Sequence, residues 1–177
     1  HSPVSVMFTT DITKDAKRRD FTCNAIYYDI ANDKIIDPLG GIADIEHKIL
    51  RAYDPQHIFA SDGLRVLRMV RIACETGFKI DAETAKAAKD ISVERRRDEL
   101  MKILLADTKN GIANAQYRAL RLLNQIGAIK YLIPQLEDGA GMAQNPLYHK
   151  YDVLEHTFQT VRCAPPDIRL AALMHDI

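Results

Sequence analysis

The spacing of apolar and polar positions changes near residue 58. Ahead of that point it is mixed. Val4-Ser5-Val6-Met7-Phe8 alternates, as a half-buried strand does. Asp11 or Thr13 is placed to start a helix, and a helical stretch is predicted through Arg19–Tyr28. Lys34-Ile35-Ile36 reads as a short strand stopped by Asp37-Pro38. Gly40-Gly41 is a turn, Ala43–His47 a short helix, and Ile49–Tyr53 another short strand. Three short strands make a poor sheet alone. They read as the rest of a sheet whose first strands lie ahead of residue 1.

Beyond residue 58 strand signals nearly vanish. Leu64, Leu67, Val70 and Cys74 share one face of a helix that Asp62 can cap and Gly77 can end. Asp81 can cap Ala82–Lys89, and Ser92 can cap Val93–Leu105 with Glu94 near the positive end of the dipole. Ala113–Ile126 is periodic and closes at Gly127. Residues 138–145 are Gly-rich and form a loop. Asp152–Cys163 and Asp167–Ile177 are two further helices, divided by Pro165-Pro166. The fold class expected is α+β, mostly α.

Composition adds three constraints. The chain has 177 residues, 47% of them hydrophobic and 27% charged, which are ordinary globular values that argue against disorder. Its formal net charge is zero, so a nucleic-acid partner must be met by a local basic patch. Cys23, Cys74 and Cys163 are far apart in apolar surroundings and form no CxxC. They read as reduced core cysteines of a cytoplasmic protein. No apolar run approaches the ~18 residues needed to cross a bilayer, and no signal peptide is visible.

Five segments carry candidate chemistry. In Arg18-Arg19-Asp20-Phe21-Thr22-Cys23-Asn24-Ala25 the arginines offer donor forks for phosphate and the aspartate an acceptor for ribose hydroxyls, unless the stretch is a solvated helix start. Asp37-Pro38-Leu39-Gly40-Gly41-Ile42-Ala43-Asp44 joins a rigid Pro to permissive glycines; it is also what a simple strand-to-helix turn requires. Arg65, Arg68 and Arg71 step by three along one side of their helix, and Asp62 lies three before Arg65. Such an Asp/Arg pair supplies the acceptors and donors that reading a base edge needs. The alternative is a capped helix with a solvated basic face. Glu94-Arg95-Arg96-Arg97-Asp98-Glu99 is either a phosphate-facing surface or a solvated helix with internal ion pairs. His156 and the later His175-Asp176 could supply imidazole and carboxylate to a divalent metal, though three ligands are too few to close a site.

The order of these motifs, over nearly all of the chain, resembles the class II tRNA nucleotidyltransferases, the bacterial CCA-adding and poly(A) polymerase family. The resemblance implies the end of a nucleotidyltransferase head sheet over 1–57, a helical neck and nucleotide- and RNA-binding domain over 58–137, and the start of an HD domain over 138–177. It gives Arg19, Asp20 and Asn24, with Arg18, the ribose and triphosphate of the incoming nucleotide. It makes Asp37, Gly40, Gly41 and Asp44 a flexible hinge. It makes Asp62, Arg65 and Arg68 a protein template for the base, with Ser61 standing where the family usually has Glu. Arg71, Glu94, Arg95 and Arg97 then support the neck or meet RNA. His156, His175 and Asp176 become metal ligands of the HD region.

The resemblance also implies magnesium in the head, and tRNA, CTP and ATP as partners. Yet no Asp-x-Asp triplet occurs in the sequence. Two-metal nucleotidyl transfer needs such carboxylates. The chain is therefore expected to be a piece cut at both ends: it opens at His1-Ser2-Pro3-Val4 without Met and halts at His175-Asp176-Ile177. Such a piece would select a nucleotide without transferring it. Competing readings are an A-adding enzyme or poly(A) polymerase, an HD phosphohydrolase, and a non-catalytic RNA- or nucleotide-binding scaffold.

Overall fold

The computed structural model describes residues 9–89, 91, 97–143 and 150–177. The expected strand at 4–8, the Ser92 cap, Glu94 and Arg95 lie outside the described residues. Asp11 starts α1 (Ile12–Lys17) by accepting from the amides of Thr13 and Lys14, at 2.9 and 3.2 Å.

The helix expected over Arg19–Tyr28 does not form. After α1 the chain turns at Arg18–Asp20, makes a single 3-10 turn (Thr22–Asn24), and enters β1 (Tyr27–Asp29). The Asp20 carboxylate accepts from the Phe21 amide at 3.0 Å, a local bond that competes with helix. Phe21 and Ala25 are buried anchors as expected, but of a turn.

β1 pairs antiparallel with β2 (Lys34–Ile36), Tyr27 facing Ile36 and Asp29 facing Lys34. The hairpin leads to α2 (Gly41–Glu46) and β3 (Ile49–Leu50), which pairs in parallel with β4 (Lys79–Ile80). The short strands thus form two separate pairs, and one partner comes from the helical half. Lys79-Ile80 is too short for any periodicity to reveal it.

The rest is helical: α3 (Pro55–Ser61), α4 (Leu64–Thr76), α5 (Ala82–Ala87), α6 (Arg97–Leu104), α7 (Asp107–Asn110), α8 (Ala115–Gln125), α9 (Ile129–Leu132), α10 (Pro134–Asp138), α11 (Val153–Cys163) and α12 (Arg169–Met174). Among the described residues no helix is long and apolar enough to cross a membrane. α4 is the central helix and packs on α6 and α8; α8 packs on α11, and α11 on α12. Val66, Leu67, Met69 and Val70 are fully buried on α4. Each such side chain contributes roughly 1.5–3 kcal/mol. Gly77 ends the helix at φ +73°, a left-handed position that suits glycine.

The arginine stripe on α4 is not a solvated face. Arg71 is half-buried between the buried Glu75 and Glu99, with both contacts at 2.8 Å. Glu99 also takes Lys102 at 2.7 Å. Burial alone would raise the Glu99 carboxyl, but the bonds from Lys102 and Arg71 hold it below its ordinary range. Arg71 therefore fastens α4 to α6, whereas Arg97 is exposed at the start of α6.

The core-cysteine expectation holds for one residue of three. Cys74 is buried, and that burial pushes its thiol up to about 11. Cys23 is half-buried and Cys163 is exposed, because α11 presents that side to an open cavity.

Candidate nucleotide-binding cleft

Two stretches far apart in sequence, 18–24 and 62–68, meet across one cleft. The first is the turn after α1, and the second is the start of α4. Arg18, Arg19, Asp20, Asn24, Asp62, Leu64, Arg65 and Arg68 line an open cavity of about 610 Å³. All seven residues assigned to nucleotide binding by resemblance are therefore brought together, with Leu64 as an apolar addition. Four guanidiniums against two carboxylates make the cleft locally cationic in a chain of zero net charge. A phosphate-bearing ligand suits it.

Bonds between the walls fix the cleft. The Asp20 carboxylate is buried and accepts from Arg68 Nε at 2.7 Å and from Asn24 Nδ2 at 3.0 Å. Arg65 Nη2 donates to the Arg18 carbonyl at 3.2 Å. Sequence spacing suggests that Arg65 meets Asp62. Instead Asp62 accepts from the Leu64 amide at 3.0 Å, since α4 begins after Gly63. Asp62 and Arg65 both still face the cleft. Ser61 is exposed, and its hydroxyl donates back along α3 to the Ile58 carbonyl at 2.9 Å.

Two side chains of this region were not singled out by sequence. Asp15 accepts from Arg18 Nε at 2.6 Å, from Arg19 Nε at 3.1 Å and from the Tyr27 hydroxyl at 2.8 Å. The Arg19 guanidinium lies over the Tyr27 ring, 5.1 Å from its centre. The Tyr27 hydroxyl, then Arg18, hold the Asp15 carboxyl down at about 2. A depressed folded-state pKa adds stability that is full above the free carboxyl's pKa and is lost as pH falls through the folded value. Acid unfolding should therefore show a stability loss between about pH 4 and pH 2 that is smaller in Asp15→Asn. The missed signal was the spacing, for Asp15 precedes Arg18 by three and Arg19 by four.

Behind the cleft, the hinge residues assigned by resemblance build a clamp. Asp37 accepts from the amides of Gly41 and Ile42 at 2.8 and 2.9 Å and so caps α2. Gly40 sits at φ +75°. A Cβ on Gly41 would lie 2.2 Å from the Thr22 carbonyl oxygen, so only glycine lets α2 approach the 3-10 turn. Asp44 accepts from Thr22 Oγ1 at 2.7 Å and Arg51 Nε at 3.1 Å, and Arg51 reaches Asp81, the cap of α5, at 2.7 Å.

The metal candidates also converge. His156, His175 and Asp176 offer ligand atoms that all lie within 4.8 Å of one another. His175 Nδ1 lies 2.7 Å from the Ala172 carbonyl, an outer bond that leaves Nε2 for a ligand role. Both histidines also border an apolar cavity of about 700 Å³ between α11 and α12.

Residues 1–51 match the family model described as the poly A polymerase head domain. Residues 77–139 match the model described as a probable RNA and SrmB-binding site of polymerase A. Curated relatives called multifunctional CCA protein are 34% identical in Xylella fastidiosa, over 96% of this chain and 43% of that protein, and 34% identical in Neisseria gonorrhoeae, over 94% and 42%. The chain thus spans less than half the length of these relatives. Among solved structures, the Bacillus stearothermophilus CCA-adding enzyme in complex with CTP superposes with a TM-score of 0.65 at 26% identity, over 98% of this chain and 50% of that one. A tRNA nucleotidyltransferase complexed with a primer tRNA and an incoming ATP analogue shares the fold, with a TM-score of 0.61 at 21% identity over 97% of this chain and 52% of that one.

Proposed function

The chain belongs to the class II tRNA nucleotidyltransferase family, and from that premise we propose that its parent protein adds CCA to the 3′ end of tRNA from CTP and ATP. In this reading the segment selects the nucleotide. The observation that carries it is the convergence of the seven residues on one cationic cleft. Arg18 and Arg19 grip the triphosphate with charge-assisted hydrogen bonds. Asn24 lies at the ribose, held there by Asp20. Asp62 and Arg65 present an acceptor and a donor to the base edge, and Arg68 keeps the two walls in register.

The cleft does not fit a pair of magnesium ions. Both oxygens of Asp20 are committed to protein donors, and guanidiniums crowd the rest. With no Asp-x-Asp in its sequence, the segment binds and orients while carboxylates outside it hold the metals. The division into head (1–57), neck and RNA-binding domain (58–137) and HD start (138–177) belongs to the same proposal. The head model ending at 51 and the RNA-binding model over 77–139 support it. Incubating the full-length polypeptide with tRNA lacking its CCA end, CTP and ATP is the test. Incorporation of both nucleotides is expected. Incorporation of ATP alone favours an A-adding enzyme or poly(A) polymerase, and incorporation of neither defeats the reading.

A second activity of HD type is favoured by the convergence of His156, His175 and Asp176. Two imidazoles and a carboxylate suit a divalent metal, with positions left for water and further ligands. In the full-length protein, His175→Ala should cut bound divalent metal by at least about tenfold and abolish any phosphodiesterase activity, while CTP incorporation persists. Equal metal content in variant and parent would remove this activity from the account.

A further inference from the structure

Asp15 and Tyr27 sit outside the cleft wall yet touch its two exposed arginines. Asp15 accepts from both Arg18 and Arg19, one carboxylate oxygen each. Tyr27 donates to Asp15 at 2.8 Å and accepts from Arg19 Nε at 3.1 Å, and its ring supports the guanidinium from one side. Arg19 Nη1 reaches the Asn24 carbonyl at 3.2 Å, which ties the same guanidinium to the 3-10 turn. An exposed arginine ordinarily samples many rotamers, and ordering it costs side-chain entropy. Here the ordering is done before any ligand arrives. These bonds leave both guanidiniums with further N–H groups to donate.

We infer that Asp15 and Tyr27 are positioning residues for phosphate: they preorganise the Arg18 and Arg19 forks that receive the triphosphate of the incoming nucleotide. The inference rests on the reading of the cleft as the nucleotide site. The triphosphate is common to CTP and ATP, so the device serves both nucleotides equally and leaves base choice to Asp62 and Arg65. It acts on binding that persists from ground state to transition state, so its loss falls on KM.

The test is steady-state kinetics of the full-length polypeptide with Asp15→Asn, Asp15→Glu, Tyr27→Phe and Arg19→Ala. Asp15→Asn should raise KM for CTP and ATP by about tenfold each, with kcat changed by less than about twofold. Inhibition by inorganic tripolyphosphate should weaken by the same factor, and the CTP-to-ATP preference should stay fixed. Tyr27→Phe should raise KM about threefold, and Asp15→Glu should recover part of the loss. A purely structural Asp15 would lower thermal stability and active fraction without moving KM or the tripolyphosphate constant, and that result overturns the inference. Unchanged KM in Asp15→Asn beside a raised KM in Arg19→Ala overturns the inference alone. Unchanged KM in both variants removes the nucleotide reading of the cleft and the inference with it.

Discussion

Asp20→Ala is expected to lower kcat/KM for CTP and ATP together by about 100-fold, equivalent to ~2.7 kcal/mol of lost transition-state stabilisation. The reason is the number of groups this one carboxylate organises. Oδ2 takes the Arg68 guanidinium, and Oδ1 takes the Asn24 amide and the Phe21 N–H. Removing it releases the half-exposed Arg68 guanidinium from the partner that fixes its position. It also frees Asn24 and loosens the turn that carries Arg18 and Arg19. Because the turn lies opposite α4, both walls of the cleft lose their shared reference. The effect should be uniform over the two nucleotides, since nothing in these contacts reads a base. A change confined to one nucleotide would place Asp20 at the base instead. Steady-state kinetics of the full-length polypeptide with each nucleotide makes the comparison.

Arg169→Met should cost about 3–5 kcal/mol of stability, the largest loss expected from any exchange of a single charged residue here. Arg169 is 5% exposed at the start of α12. It forms a bidentate pair with Asp107, with Nη2 to Oδ2 at 2.8 Å. It also donates to the Leu104 carbonyl at 2.7 Å and the Ala164 carbonyl at 3.1 Å. One side chain thus joins the end of α6, the start of α7, the end of α11 and α12. Methionine fills a similar volume but leaves a carboxylate and two carbonyls without their donor. Denaturant titration should show the midpoint falling while the slope stays constant. A change below about 1 kcal/mol would mean that water replaces the guanidinium at no real cost. The same variant should bring His156 and His175 out of register, because α11 carries His156 and His175 caps the end of α12.

Much of the cleft was legible in the sequence because its parts are short and local. Arg18 to Asn24 lie within seven residues, and Asp62 to Arg68 within two helical turns. Each stretch is polar in a place where helix periodicity alone has no use for it. What local pattern could not supply was tertiary competition. Residues 19–28 have helical spacing, yet Asp20 is drawn to Arg68 and Thr22 to Asp44, and the chain turns to satisfy both. The Arg65, Arg68 and Arg71 stripe reads as one side of a helix. A step of three drifts around a helix with 3.6 residues per turn, so each arginine meets a different partner. Arg169 lies in an apolar run, Ile168–Leu173, whose helical period gives no hint of Asp107, 62 residues earlier. The same holds for Arg51, which unites Asp44 with Asp81.

The clamp around α2 bears on the cleft as well. Asp37 holds the amides of Gly41 and Ile42, and Asp44 holds Thr22 and Arg51. The Thr22–Asp44 bond ties α2 to the 3-10 turn, and that turn follows directly on Arg18 and Arg19.

The most direct measurement is photo-crosslinking of the full-length polypeptide with azido analogues of CTP and ATP, followed by mass spectrometry of the labelled peptides. The account predicts that both analogues label residues within 18–24 and 62–68, and that unlabelled CTP and ATP each protect those peptides. Labelling confined to the cavity bordered by His156 and His175, with the 18–24 and 62–68 peptides unmodified, would contradict it.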